Sequence, residues 1–247
     1  MLRLVDPTKH FPDPTIEELN RPPLGSIASR VDAIEWLQVD STLATRPYAL
    51  LPKLLTEQEC TRLVEMYGQD QRFRSRVVME RYAFGKGEYK YFDYPLPDIV
   101  QELRASLYRH LWPIANHWHA ALSLEERFPA THREFVDICE ASGQRRPTPL
   151  MLTYAQDDYC CLHQDLYGDH VFPFQVIFML SNPDRDFTGG ELLLTEAAPK
   201  KPTKVEVVHL NVGQAVLVPV NFRPVFTERG AYRANVRHGV SLTVSQE

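Results

Sequence analysis

The sequence predicts an α+β protein, with helices first and an antiparallel β core second, and three observations carry that expectation. Apolar residues recur at helical spacing in the stretch up to about residue 141; from 147 onward they gather into short runs parted by turn residues; and no helical pattern separates those runs. The last point argues against βαβ units and for an antiparallel sandwich or jelly roll. A chain of 247 residues, 44% hydrophobic and 24% charged, has room for one large domain or two small ones with a sizeable core.

In chain order, residues 1–45 read as an irregular, Pro-rich N-terminal arm with one short helix near 28–38, ahead of a single domain over 46–247 whose helical part spans 52–142 and whose β core spans 147–247. The opening "MLRLVDPTKHFPDP" has no apolar run long enough for a signal peptide, and no later stretch approaches a membrane span, so a cytoplasmic location is expected. "LLTEQECTRLVEMYGQD" places Thr56 three positions before Glu59, the spacing of a capping box, and then Cys60, Leu63, Val64 and Tyr67 at helical intervals. Residues 97–122 carry Ile99, Val100, Leu103, Leu107, Leu111 and Ile114 on one helical stripe, which Pro113 should kink or divide. Ser123 and Glu126 repeat the capping-box spacing and predict a further helix reaching about 141. The runs "PLMLTYA", "FPFQVIFML", "GGELLLTE", "KVEVVHL", "GQAVLVPV" and "YRANVRHGVSLTV" then predict strands.

A net charge of −5 offers nucleic acid no global electrostatic attraction, although a local basic face would still serve. The four cysteines, Cys60, Cys139, Cys160 and Cys161, contain no C-x-x-C pair, and the adjacent two are badly spaced for a disulfide; all read as reduced, packing thiols.

Residues 162–170, "LHQDLYGDH", put two histidines and two aspartates within nine positions of a chain that has only 9 histidines. On an extended backbone His163 and Asp165 point to the same side, a chelating geometry. Alone, an H-x-D is most often a polar loop, and a third ligand changes that weight. Two imidazoles and one carboxylate on one face of an octahedral ion leave positions free, the facial triad of non-haem Fe(II) oxygenases. His209 and His238 are the candidates for the third place. His209 starts a loop before "NVGQAVLVP", whereas His238 sits late in the β region in "NVRHGVS" and is the better choice.

"LTYAQDDYCCLHQD" resembles the AlkB-type segment in which a tyrosine precedes the metal motif, here Tyr154 ahead of His163. "DFTGGELLLTE" and "LNVGQAVLVP" are similar to the turn and strands that lie between the first ligands and the distal histidine throughout the Fe(II)- and 2-oxoglutarate-dependent dioxygenases. The ordered set "RPTPLMLTY", "CLHQDLYGDHVFPFQV", "DFTGGE" and "YRANVRHGVS" more closely resembles a prokaryotic group of these enzymes linked to oxidative removal of damage from DNA. The resemblance covers about 45–241 and implies a double-stranded β-helix (jelly-roll) core. It implies His163, Asp165 and His238 as Fe(II) ligands and catalytic centre, 2-oxoglutarate and O2 as cosubstrates, and Tyr154 as a hydrogen-bond partner of a 2-oxoglutarate carboxylate. In the family a basic residue about ten positions past the distal histidine grips the far carboxylate. Between His238 and Glu247 there is no Arg or Lys. Three expectations stay open: a truncated or frame-shifted chain whose core lacks its last strand; Arg233 or Arg223 as substitute, Arg237 facing away because it adjoins His238; or a protein that no longer catalyses. The expected reaction is hydroxylation of a C–H bond, with alkylated nucleic acid the first substrate, a protein side chain or small metabolite the next, and a non-catalytic metal-binding module the alternative.

Several other residues carry mainly structural expectations. His117 and His119 do not share a helical face. His170 reads as a loop histidine, with a supporting role behind the metal ligands as the minority reading. Gly189 and Gly190 read as a tight turn, since a strand and no helix follows. Residues 72–94 hold six Arg or Lys and three acids among seven aromatics. They fit a hairpin whose aromatics pack the core, with nucleic-acid contact as the second reading.

Overall fold

The computed structural model describes residues 11–183 and 185–244, so the first ten residues of the expected arm fall outside it. The rest of that arm is helical: α1 (Ile16–Asn20), α2 (Ile27–Asp32) and α3 (Trp36–Thr45). The one helix expected over 28–38 is therefore two, parted at 33–35. Thr15 and Ser26 accept hydrogen bonds from backbone N–H groups in the first turns of α1 and α2. Ile27, Val31, Trp36 and Leu43 are buried in the main core. Helices this short show less than three turns of periodicity, which is why the sequence read as irregular.

After β1 (Ala49–Leu51) comes α4 (Glu57–Met66), capped as expected: Thr56 Oγ1 accepts from Glu59 N at 3.2 Å and the Glu59 carboxylate accepts from Thr56 N at 2.8 Å. The 72–94 segment folds into β2 (Phe73–Val78), β3 (Gly85–Lys86) and β4 (Glu88–Phe92). The next helix, α5 (Asp98–Ala121), runs through Pro113 without dividing and buries Leu103, Leu107, Leu111, Ile114 and Trp118 along one stripe. A correction follows at its end. Ser123 adopts a left-handed backbone (φ 56°) that terminates α5, and the capping box of α6 (His132–Ala141) is formed by Thr131 and Glu134. Glu126 is instead free to pair with His170 at 3.0 Å.

The remaining strands are β5 (Leu150–Thr153), β6 (Tyr159–His163), β7 (Phe174–Phe178), β8 (Thr188–Gly189), β9 (Leu192–Ala197), β10 (Lys204–Val208), β11 (Ala215–Pro219), β12 (Phe222–Thr227), β13 (Gly230–Val240) and β14 (Thr243–Val244). All ladders between them are antiparallel. One sheet has the order β1-β11-β7, a second β10-β9-β13-β6-β3 with β12 also on β13, and a third β2-β4-β5; β14 pairs β8. Leu192, Leu194 and Val236 of the second sheet pack against Val216, Val218 and Ile177 of the first. The helices cover the other face of the first sheet through Leu51, Leu217 and Phe174. The architecture is thus a helical layer over paired antiparallel sheets.

Arg223 and Glu196 form an ion pair in the interior, 2% and 6% exposed. The guanidinium also donates to the carbonyls of Leu43, Ala44 and Thr45. It thereby satisfies the orphan carbonyls at the end of α3 and ties the helical layer to the second sheet. Among the described residues no helix is long and apolar enough to cross a membrane.

Candidate metal centre

β6 and β13 lie side by side with His163 opposite His238 and Cys160 opposite Val240. Three residues of β6 therefore span two of β13, a bulge that turns Cys160 and His163 toward the same side although they are three positions apart. On β13 the buried Ala234, Val236 and His238 alternate with exposed Arg233, Asn235 and Arg237. Asp165 follows β6 on an irregular segment. The chain so brings His163, Asp165 and His238 together, with one ligand atom from each lying within 4.8 Å of the others.

His163 Nε2 is 3.5 Å from Asp165 Oδ1, and His238 Nε2 is 3.4 Å from Asp165 Oδ2. His163 Nδ1 donates to the Cys161 carbonyl at 2.9 Å, which assigns the proton to Nδ1 and leaves the Nε2 lone pair turned to the cluster. Burial works to raise the Asp165 carboxyl, but the hydrogen bond to His238 and the two imidazoles outweigh it and hold the group below the ordinary carboxylate range. The Gln175 amide nitrogen lies 3.1 Å from His238 Nε2.

The surroundings are rich in phenols and poor in charge. The Tyr154 hydroxyl is buried and has the Cys160 thiol beside it, with no well-formed hydrogen bond to any other group. Burial first, and then neighbours including Cys160, whose thiol lies beside the hydroxyl, and Asp165, push its pKa far above that of free tyrosine, so it keeps its proton and stays a donor. Burial likewise pushes the Cys160 thiol up to about 11, consistent with a packing role. Tyr89 and Tyr91, two apart on β4, share the face of the third sheet that looks toward the aspartate. Burial raises Tyr89 to about 12, with Tyr91 and Asp165 adding to it. Tyr167 donates to Asp165 Oδ1 at 3.3 Å and lies against Tyr91, over whose ring the Arg74 guanidinium stands at 4.3 Å.

The other site expectations divide. Neither arginine proposed as a carboxylate anchor reaches the triad. Arg223 is committed to Glu196 and the end of α3, and Arg233 is an odd number of residues from His238 on one strand, hence on its exposed face, stacked on Phe222 at 4.7 Å. His209 is not part of the cluster. His119 Nδ1 meets the Glu126 carbonyl at 3.1 Å, while His117 stacks on Phe226, so the two serve different contacts. The tight turn expected at Gly189 and Gly190 is instead a strand end: Gly189 closes β8 opposite Thr243 and Gly190 follows it, both with positive φ. The seven aromatics of 72–94 divide three ways: Phe73 and Phe92 pack the core, Tyr89 and Tyr91 face the triad, and Tyr82, Phe84 and Tyr94 are exposed. Tyr89, Tyr91, Tyr167 and Gln175 had not been singled out from the sequence, although the period-two spacing in "EYKYF" already put both tyrosines on one side.

Residues 87–246 match the model of a family described as "Oxygenase, catalysing oxidative methylation of damaged DNA". This chain belongs to that oxygenase family. The match takes in all three triad residues and the strands that carry them. Uncharacterized proteins from two strains of Mycobacterium tuberculosis are 42% identical to the oxygenase over 156 residues, 63% of this chain and 67% of theirs. Among solved structures, a prolyl-4-hydroxylase of Pseudomonas putida aligns with a TM-score of 0.43 at 14% identity, covering 87% of this chain and 98% of its own. An oxidoreductase of the 2OG-Fe(II) oxygenase family from Burkholderia pseudomallei aligns at 0.40 and 15% identity, covering 92% and 88%.

Proposed function

We propose that this oxygenase is an Fe(II)- and 2-oxoglutarate-dependent dioxygenase with a double-stranded β-helix core, and that His163, Asp165 and His238 hold its metal. The carrying observation is the triad itself: two imidazoles and a carboxylate, converging from β6, the segment after it and β13, are the donor set that non-haem Fe(II) favours. The Tyr154 hydroxyl supports 2-oxoglutarate as well, because a buried phenol with only a thiol beside it gains a far better acceptor when a carboxylate oxygen arrives.

In this reading the chain's residues do four things. The carbonyl of Cys161 orients His163, and Tyr167 steadies Asp165. Tyr154 donates to a carboxylate of the cosubstrate. Gln175, beside His238, contributes an amide at the edge of the metal position. When bound, the iron and 2-oxoglutarate would supply the oxidising power, using O2 to hydroxylate a C–H bond while the 2-oxo acid leaves as succinate and CO2.

Alkylated nucleic acid is the substrate we favour. Tyr89, Tyr91 and Tyr167 offer stacking faces and Arg74 a cation beside them, the combination that grips unstacked bases, and the family description names damaged DNA. The test combines the Fe(II)-loaded protein with 2-oxoglutarate, O2 and an N-methylated oligonucleotide. Succinate and formaldehyde should form together, and both should vanish in His163→Ala. Succinate that survives His163→Ala sinks the metal assignment. Succinate that forms only with a protein or metabolite substrate keeps the chemistry and discards nucleic acid. Iron uptake without any 2-oxoglutarate charge-transfer band under anaerobic conditions would leave a metal-binding module.

A further inference from the structure

Asp165 is carried by a segment with no regular structure of its own, since residues 164–173 between β6 and β7 form neither helix nor strand. Such segments move unless their backbone is tied down, and a metal ligand must not move. At the start of the segment the Gln164 side chain donates to the carbonyls of Asn221 and of Val236 on β13, at 2.6 and 2.9 Å, and the backbone further along is tied by the helical layer. Gln144, just beyond α6, accepts hydrogen bonds from the backbone N–H groups of Asp169 at 3.1 Å and His170 at 2.8 Å, and its amide donates to the His170 carbonyl at 3.1 Å. One side chain thus satisfies three backbone groups of the ligand loop. The fit is close: Gly168 has φ +76° and a Cβ there would run into the Gln144 amide.

The His170 side chain adds a second tie. Its Nδ1 lies 3.0 Å from Glu126 Oε1 and its Nε2 2.9 Å from Ser142 Oγ. A Ser–His–Glu chain of this kind suits nucleophilic catalysis, but here the backbone N–H groups of Ser142, Gly143 and Gln144 all donate within the last turn of α6, leaving none for an oxyanion. The chain is a brace between α6, the loop before it and the ligand segment.

We infer that Gln144 is a positioning residue for the metal centre: through the backbone of 168–170, reinforced by the Glu126–His170–Ser142 brace, it holds Asp165 where His163 and His238 can share an ion with it. The inference rests on the triad being a metal site. Supporting residues behind metal ligands typically change metal affinity 10–100-fold, so Gln144→Ala should weaken Fe(II) binding about tenfold or more. Hydrogen exchange over 164–170 should quicken in the same variant before metal is added. Gln144→Glu keeps the acceptor for both N–H groups but loses the amide donor to the His170 carbonyl, and should recover part of each effect. Gln214→Ala removes a comparable clamp elsewhere, between Asn211 N and the Leu19 carbonyl, and should lower thermal stability without changing Fe(II) affinity.

Anaerobic Fe(II) titration and metal-free hydrogen exchange on these four proteins decide the matter. Gln144→Ala that binds Fe(II) as wild type does, or loses no more affinity than Gln214→Ala, overturns the inference. Wild-type protein that takes up no Fe(II) overturns the function proposed above, and is recognisable because the unsubstituted sample fails; exchange at 164–170 then decides the brace, unchanged rates in Gln144→Ala counting against it.

Discussion

His132 shows how one side chain couples burial to pH. It is packed edge-on against Tyr108, and burial, with a smaller contribution from Arg104, pushes its imidazole down from 6.5 to about 4. Between those two values the unfolded chain holds a proton that the folded chain refuses, so folding stability rises with pH through that window and is complete above about 6.5. After discounting for the exposed part of the ring, the loss on acidification should be about 1–2 kcal/mol. Urea midpoints measured from pH 7 to pH 4.5 should fall less steeply for His132→Phe than for wild type; parallel curves would show that the ring titrates normally in the fold. The same physics limits what sequence alone can tell. The clustering of His163, Asp165 and His238 was legible because an H-x-D with a distal histidine is a short vocabulary, although Asp165 lies just beyond β6 and not on it. Gln144 was not, because an amide that binds backbone carries no motif, and its partners at 168–170 become visible only once α6 meets the ligand loop.

At the scale of elements, the two candidate capping boxes near the end of α5 obey the same spacing but have opposite fates. Ser123-x-x-Glu126 sits where the preceding helix needs a left-handed residue to stop, whereas Thr131-x-x-Glu134 caps α6 in both directions, at 3.2 Å for each backbone N–H. Local pattern cannot choose between them, because the choice is made by where α5 runs out. Thr131→Ala should therefore cost about 1 kcal/mol. Ser123→Gly should cost nothing or add a few tenths, since glycine accepts that backbone without a steric penalty. Thermal unfolding of the two variants checks this, and a loss at Ser123 equal to that at Thr131 would refute it. The strands after 147 were read well because strand runs there are bounded by turn residues. β6 and β12 escaped notice, the first because a bulge breaks its alternation, the second because Pro224 lies inside it. Of the three N-terminal helices, α1 escaped and α2 and α3 were read as one, because none is long enough to show a period.

Across the whole molecule, few side chains join so many layers as Arg223. It links β12, β9 and the end of α3, and the ionic partner Glu196 is equally buried. Removing one member of such a pair strands a charge in the interior, so Glu196→Ala should cost about 3–5 kcal/mol, whereas Glu196→Leu with Arg223→Met should recover much of it. Chemical denaturation of single and double variants measures the difference; equal losses would mean the pair contributes only shape. The first sheet joins the chain over a path almost as long, for Ala49 of β1 is registered against Leu217 of β11. During synthesis the ribosome releases 49–51 long before 215–219. In that interval α3, β1 and α5 already carry their apolar faces while the strand that will cover them does not yet exist. Long-range closure of this kind also makes the search for the native pairing slow. Each new copy therefore spends its youth open to the wrong neighbour, and the yield of this protein in a cell will be governed as much by the speed of translation and the supply of chaperones as by the stability it finally attains.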